Sequence, residues 1–178
     1  ELLSEKKFPA ASFIRRKEDL DYLKEPDIFH EIFGHTPLLT NTEFANFTHE
    51  VGKFGNSLAK EDRPILARLY WFTVEFGLIE TTQGMRIFGA GIVSSKTESI
   101  YSLESDIPRR KPFNLLEILR TPYRYDELQK TYFVIKNIAD LYEMIDGDKL
   151  LSAFKEAKEL GMLENLHDKN NYRWTNDE

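Results

Sequence analysis

The sequence predicts a mainly α-helical chain with small β elements, an α+β fold built as a single domain over residues 1–178. Apolar residues recur every three to four positions in several segments, which is typical of helices with one buried face. Only two short runs have the character of strands. The 178 residues, of which 41% are hydrophobic, are enough to build one sizeable core without disulfides.

The N-terminal part of the chain leads into a short helix. We expect residues 8–29 to follow an extended or loop-like path, because prolines interrupt this stretch near both ends. A helix should begin at about Pro26, since proline suits the first helical position. We expect this helix to end at Gly34 in a left-handed cap, because Pro37 follows closely and prevents continuation.

Two further helices are predicted next along the chain. One opens at Asn41–Thr42 and carries phenylalanine and valine at helical spacing. The other starts at Asp62, just before Pro64, and is predicted to run to about Glu80. Its interior is apolar nearly all the way round, so we expect it to be buried on most sides.

The C-terminal half combines strands with more helices. Arg86–Phe88 and Tyr132–Ile135 have strand character. The basic residues 108–112 are expected to form a solvated surface loop. Two more helices are predicted, with Gly147 between them: Ile138–Ile145 and Leu150–Leu160.

Composition and charge exclude several classes of function. Lys plus Arg number 24 against 30 for Asp plus Glu, and the net charge of −6 argues against binding to nucleic acid or anionic membranes. With no cysteine, the chain has no disulfide, thiol nucleophile or cysteine-ligated metal. It has no apolar run of membrane-spanning length and no signal-peptide pattern, so we expect a cytoplasmic protein. The first residues, from Glu1, have the pattern of a helix end, which we interpret as an N-terminal truncation.

The densest cluster of chemically useful side chains surrounds Gly34. Two of the four histidines, His30 and His35, lie here, and imidazole is the commonest metal ligand near neutral pH. Zinc peptidases space such a pair by four residues, about 40° apart on an α-helix, whereas a spacing of five separates the side chains by about 140°. We therefore expect His30 on the helix and His35 brought back beside it by the turn at Gly34.

Glu75 is the candidate third ligand because it stands in an apolar helix with no Lys or Arg within one turn. A buried, unpaired carboxylate is costly, and a bound cation would satisfy it. Two histidines and one carboxylate with open positions are the donor set of non-haem iron(II) oxygenases, and zinc hydrolases use the same residue types.

Three interpretations of this cluster therefore stay open: an iron oxygenase, a zinc-dependent hydrolase with Glu31 as general base, and a non-catalytic helical module in which the cluster is a buried polar network. The other two histidines have no such company: we expect His49 to lie at the surface of a helix and His167 to be solvated.

Three segments together resemble the pterin-dependent aromatic amino acid hydroxylases. They are His30–His35 with Pro37–Leu39, Tyr70–Leu78, and Gly89–Ser95. The flanking segments look most like the bacterial, phenylalanine-hydroxylating branch of the family: Phe8-Pro9, Phe13–Arg16 and Glu25–Phe29. The resemblance runs from about Phe8 to at least Leu103, and three separated motifs in the same order make it specific.

The resemblance implies a role for ten residues. His30, His35 and Glu75 would bind a catalytic ferrous ion. Arg15 would hold the substrate carboxylate, and Trp71 and Gly91 would line the amino-acid pocket. Ser94 would support an iron-binding histidine, and Glu31, Ala67 and Tyr70 match positions near the pterin or the iron; of these residues, Glu31 and Ser94 are the expected catalytic positions.

The reaction that the resemblance implies is hydroxylation of L-phenylalanine to L-tyrosine, with O₂ as oxidant, Fe(II) as metal and a tetrahydropterin as two-electron donor. We expect a monomer with one catalytic domain, no regulatory domain and no tetramerisation helix. In the family, catalytic sequence that includes much of the pterin-binding loop precedes the position of Phe8, and that sequence is not present in this chain.

Overall fold

The computed structural model describes residues 1–20, 25–146 and 148–167. Short 3₁₀ turns lie at Leu3–Glu5 and Lys17–Asp19, and two segments, His30–His35 and Trp71–Glu75, are π-helices. The α-helices of these described residues are α1 (Thr36–Leu39), α2 (Thr42–Ser57), α3 (Arg63–Tyr70), α4 (Ala90–Val93), α5 (Lys96–Glu104), α6 (Leu115–Arg120), α7 (Ile138–Ile145) and α8 (Lys149–Leu160).

Four short strands form one mixed sheet with the order β2-β1-β4-β3. The strands are β1 (Leu78–Thr81), β2 (Gly84–Ile87), β3 (Arg109–Pro112) and β4 (Thr131–Ile135). β1 and β2 form an antiparallel hairpin, whereas β4 runs parallel to both of its neighbours. The central strand, β4, is buried along its length except at Val134, which agrees with its apolar, β-branched and aromatic sequence.

The main core lies between the helices and one face of the sheet. α2 packs against α7, α3 against α6, and α6 against α8. Phe44 and Phe47 of α2, Leu69 of α3, Phe72 of the second π-helix and Phe133 of β4 are at most 2% exposed. The two π-helices pack on this core, and their polar side chains line a cavity.

Several predicted elements are confirmed. α2 begins at Thr42, and the Asn41 side chain accepts a hydrogen bond from the backbone N–H of Phe44, as expected of an N-cap. The helix Ile138–Ile145 and the strand at 132–135 are present, and the last helix begins one residue earlier than expected. Gly147, predicted to separate the last two helices, lies outside the described residues.

The prediction of one helix from Asp62 to about Glu80 is wrong. The helical path ends at Glu75, and Leu78–Thr81 is strand β1. The chain turns at Gly77, where a Cβ atom would lie 2.1 Å from the Phe88 ring and 2.4 Å from the Thr73 carbonyl oxygen. This close approach leaves no room for a side chain at position 77.

The prediction of a solvated basic loop at residues 108–112 is also wrong, because Arg109–Pro112 is edge strand β3. The guanidinium of Arg110 donates to the backbone carbonyls of Ser102 at 2.6 Å and Ser105 at 2.7 Å. These carbonyls lie at the C-terminal end of α5, where the helix dipole favours a cation.

The prediction that His167 is solvated is wrong, whereas His49, predicted at the surface, is only partly buried. His167 is 5% exposed, and its Nδ1 lies 3.4 Å from a carboxylate oxygen of Glu127. His49 is half-buried on α2, and its Nδ1 donates to the Leu3 carbonyl at 2.9 Å. Both are placed by contacts with residues more than 35 positions away, which a local pattern does not reveal.

Candidate metal centre and active-site cavity

The first π-helix brings His30 and His35 together. Its backbone hydrogen bonds connect residues five positions apart, as from the N–H of Thr36 to the carbonyl of Glu31. Side chains five residues apart therefore lie on nearly the same side of this helix, much as side chains four apart do on an α-helix, instead of about 140° apart. The two Nε2 atoms lie 2.9 Å apart, so the spacing of five suits this helix type.

The expected end of the helix at Gly34 in a left-handed cap is wrong, because the helical path continues through Gly34 and Pro37 to Leu39. Among the described residues, the glycines with positive φ are Gly84 and Gly161. Gly34 is needed for a different reason: a Cβ atom there would lie 2.7 Å from the Ala90 Cβ and 3.0 Å from the Ala90 Cα. Glycine allows α4 to pack directly on the first π-helix. This packing places Ser94, which follows α4, in contact with His30.

Glu75 closes the cluster from the last position of the second π-helix. Its two carboxylate oxygens lie 3.1 Å from His35 Nε2 and 3.4 Å from His30 Nε2. One ligand atom from each of the three residues can be chosen so that all lie within 4.8 Å of one another. The expectation that His30, His35 and Glu75 lie close together is confirmed.

The donor set fits a divalent transition metal. Two imidazole nitrogens and a carboxylate converge on one point, and this combination with open positions suits iron or zinc. Nδ1 of His30 lies 2.8 Å from the Ser94 hydroxyl, which fixes the ring from behind. The His35 ring packs against Phe8, with centroids 4.6 Å apart.

Burial sets the protonation of the surrounding groups. It lowers the pKa of His30 and so favours the neutral imidazole that a metal requires. It raises the pKa of Glu31, which is 8% exposed and follows His30 directly. It also raises the pKa of Tyr70 well above its usual value, and the nearby Glu75 and Glu31 act in the same direction.

Arg15 lies in the cavity wall and is held in place by a buried acid. Its Nε and Nη2 donate to the two oxygens of Asp27 at 3.0 and 2.8 Å, and the Asp27 side chain is fully buried. Nη1 donates to the Ser94 carbonyl at 2.6 Å and to the Leu20 carbonyl at 3.3 Å. Arg15 is therefore linked through Ser94 to His30, whereas Arg16 is 80% exposed.

Asp27 is a partner that sequence reasoning missed in this role. Burial alone would raise the pKa of its carboxyl, but hydrogen bonds from Arg15 and from the backbone N–H of His30 together hold that pKa well below its usual range. Asp27 thus caps the first helical turn and orients Arg15 with one side chain. The signal for it was an acidic residue beside Pro26 at a helix start.

The cluster opens into a cavity of about 570 Å³. All ten residues singled out in the sequence line this cavity: Arg15, His30, Glu31, His35, Ala67, Tyr70, Trp71, Glu75, Gly91 and Ser94. Aromatic rings form one wall, where Trp71 stacks on Tyr123 with centroids 4.3 Å apart and planes 16° apart. The lining residues for which the sequence assigned no role include Phe76, Glu98, Tyr123, Tyr125 and Glu127.

Comparison with known families identifies the class. The family model for biopterin-dependent aromatic amino acid hydroxylases matches residues 3–150. The chain therefore belongs to this family, and its helical fold with a small mixed sheet is that of the family's catalytic domain. The alternative interpretation as a zinc-dependent hydrolase is not supported.

Several bacterial phenylalanine hydroxylases are similar to this chain. The chain is 56% identical to phenylalanine-4-hydroxylase of Pseudomonas aeruginosa and 47% identical to that of Vibrio cholerae, each over 162 residues and 91% of this chain. It spans 61% and 56% of the lengths of these two relatives. The structure superimposes on phenylalanine hydroxylase of Legionella pneumophila with a TM-score of 0.89 and 48% identity, covering 94% of this chain and 72% of the other. For the enzyme of Colwellia psychrerythraea the TM-score is 0.88, the identity 52% and the coverages 92% and 64%.

None of the helices in the described part of the chain is both long enough and apolar enough to cross a membrane.

Proposed function

We propose that this protein is an iron(II)- and tetrahydropterin-dependent monooxygenase that hydroxylates L-phenylalanine to L-tyrosine. The observation that carries the proposal is the convergence of His30, His35 and Glu75 at the wall of an aromatic-lined cavity. The curated relatives of the chain are named phenylalanine-4-hydroxylase, which supports the choice of substrate. In the overall reaction one oxygen atom of O₂ enters the aromatic ring and the other leaves as water, with two electrons from the pterin.

In this proposal His30, His35 and Glu75 hold the iron. Bound ferrous iron, together with electrons from the pterin, would supply the activation of O₂ that hydroxylation of an aromatic ring requires. Ser94 keeps the His30 ring oriented through the contact at Nδ1. The packing of Phe8 on His35 and the aromatic wall keep bulk water from the site.

Arg15 is proposed to bind the carboxylate of the substrate. Asp27 preorganises the guanidinium, so little side-chain freedom is lost when a second anion binds. The Leu20 carbonyl, at 3.3 Å the longest of the contacts at Nη1, is the partner that a carboxylate would replace most easily. The ring of the amino acid would then lie between Trp71 and Gly91, towards the iron.

The pterin is proposed to bind on the side of the cavity formed by Glu31, Ala67 and Tyr70. Oε2 of Glu31 is buried and has no hydrogen-bond partner among the described residues, so it is available to an N–H donor of a bound pterin. Ala67 is exposed on α3 and offers a small surface against which a flat ring can lie. These features fit a planar, polar ligand.

We also propose that the chain forms one catalytic domain and acts as a monomer in the cytoplasm. The acidic surface, with a net charge of −6, favours a dispersed protein over one bound to anionic surfaces. Sedimentation equilibrium should give a mass near 20.9 kDa, and a dimer mass would contradict the proposal.

The test of the proposed function is anaerobic loading with Fe(II), followed by addition of O₂, tetrahydropterin and each aromatic amino acid in turn. We expect one bound iron and formation of tyrosine from phenylalanine. Glu75→Ala is the matched control, which should neither bind iron tightly nor form product. A protein that retains iron and pterin but leaves phenylalanine unchanged would contradict the proposal.

A further inference from the structure

A buried glutamine connects two parts of the aromatic wall. Gln129 lies just before β4 and is 1% exposed. Its Oε1 accepts a hydrogen bond of 2.9 Å from the indole N–H of Trp71. Its Nε2 donates to the backbone carbonyls of Arg124 at 2.7 Å and Glu127 at 3.1 Å. Because both amide hydrogens face carbonyls, the amide has one favourable orientation, with its oxygen towards Trp71.

Glu98 anchors the backbone of Gln129. Its Oε1 accepts a hydrogen bond of 3.1 Å from the Gln129 N–H and a second hydrogen bond from the hydroxyl of Tyr132. Glu98 belongs to α5 and is 5% exposed, and Tyr132 belongs to β4 and is fully buried. Gln129 is thus held by both a helix and the central strand, which are rigid parts of the fold.

The contacts of Gln129 tie together residues that are distant in sequence. Trp71 comes from the second π-helix. Tyr123, on which its ring stacks, lies in residues 123–127, the Tyr123 segment, where Gln129 binds the carbonyls of Arg124 and Glu127. The Trp71 ring also packs on Phe76, with centroids 4.5 Å apart. The position of the indole therefore depends on one hydrogen bond at its edge and two rings beside it.

We propose that Gln129 is a positioning residue that holds the Trp71 indole and the Tyr123 segment at a fixed separation, and thereby sets which aromatic side chain the cavity accepts. This rests on the proposed function, since it concerns the ring of an aromatic amino acid substrate. None of the hydrogen bonds of Gln129 to described residues involves a candidate metal ligand. Loss of the amide should therefore change substrate binding and leave iron binding intact.

The test compares variants of the two glutamines of the chain in a Trp174→Phe background, where Trp71 is the single tryptophan. Gln129→Met keeps the length of the side chain but removes its polar atoms. Gln83→Met is the matched control, because Gln83 is exposed in the turn between β1 and β2.

We expect Gln129→Met to shift the emission and the near-ultraviolet circular dichroism of Trp71. It should also raise the KM for phenylalanine by about 3- to 10-fold, the usual effect of losing one neutral hydrogen bond, with kcat changed less. The preference for phenylalanine over the larger tryptophan should fall, and iron content should stay the same. Gln83→Met should stay near the parent protein in all of these measurements.

An unchanged Trp71 signal and KM in folded Gln129→Met would overturn the proposal. If the methionine variant does not fold, Gln129→Asn takes its place, because the shorter amide withdraws its oxygen from the indole. A shifted Trp71 emission in that variant supports the proposal, and an unshifted one overturns it. Because the emission needs neither metal nor substrate, failure of the parent protein to hydroxylate phenylalanine would refute the proposed function alone.

Discussion

Gly34→Ala tests how the two histidines are brought together. The added Cβ would lie 2.7 Å from the Ala90 Cβ and within 3.1 Å of the Ala90 backbone. α4 cannot simply move away, because Gly89 at its start is itself pressed against the second π-helix, where a Cβ would lie 2.4 Å from the Glu75 carbonyl oxygen. The first π-helix must therefore move, and His35 is its last residue.

The expected loss of stability follows from two opposing effects. Overpacking of a tight contact costs roughly 1–3 kcal/mol. Replacing glycine by alanine in a helical segment returns about 1 kcal/mol. The free energy of unfolding should therefore fall by about 0–2 kcal/mol, while iron affinity falls on the order of 10-fold or more, because a displaced ligand costs more at the metal than in the fold.

The assay is chemical unfolding of the iron-free protein together with an anaerobic iron titration. Gly34→Ala/Ala90→Gly should recover most of the lost affinity, since it removes the Cβ–Cβ contact. Gly55→Ala in α2 is the matched control, because its Cβ would meet only the end of the flexible Leu66 side chain, at 3.1 Å. Unchanged iron affinity in Gly34→Ala, or no recovery in the double variant, would refute the packing argument.

Three further predictions follow from the same geometry. Alanine at any one of the three candidate ligands should prevent stoichiometric iron binding by elemental analysis, and Fe(II) should then no longer raise the melting temperature; a variant with a full complement of iron would remove that residue from the ligand set. Arg15→Lys should raise the KM for phenylalanine by about 10- to 150-fold, the range for a hydrogen bond to a charged group, whereas Arg16→Lys should leave it unchanged because that side chain is 80% exposed; equal effects would contradict the role of Arg15. Asp27→Asn should destabilise the protein by on the order of 3 kcal/mol at pH 7. The pKa of Asp27 is lowered in the folded state, so this contribution is present above its unfolded pKa of about 3.9 and is lost as the pH falls towards the folded value. The stabilities of the two proteins should therefore converge in acid. A stability difference that stays constant there would show that the ion pair is not its source.

The candidate metal ligands could be predicted from the sequence alone. Two histidines beside a glycine and one carboxylate in an apolar helix are unusual enough to predict a metal site, because an unpaired buried acid is costly. Elements with strong local signals were also predictable, such as α2 with its Asn41 cap and the apolar strand β4. Each of these signals lies within a few neighbouring residues.

How those residues meet depends on the packing of the whole fold. Backbone hydrogen bonds join residues five apart in a π-helix and four apart in an α-helix. The π-helix at His30–His35 occurs together with the packing of α4 on Gly34 and the contact of Ser94 with His30. The same holds for the pairing of β1 and of β3 with β4, which joins segments that are distant in the sequence.

The hydrogen-bond partners of Asp27 and Gln129 also depend on the tertiary structure. Asp27 is paired with Arg15 twelve residues away, and Gln129 with Trp71 at a separation of 58 residues. Burial makes these hydrogen bonds necessary, because a buried polar group without a partner is costly. Which groups become buried together depends on the packing of the whole chain, and no pattern of neighbouring residues contains that information.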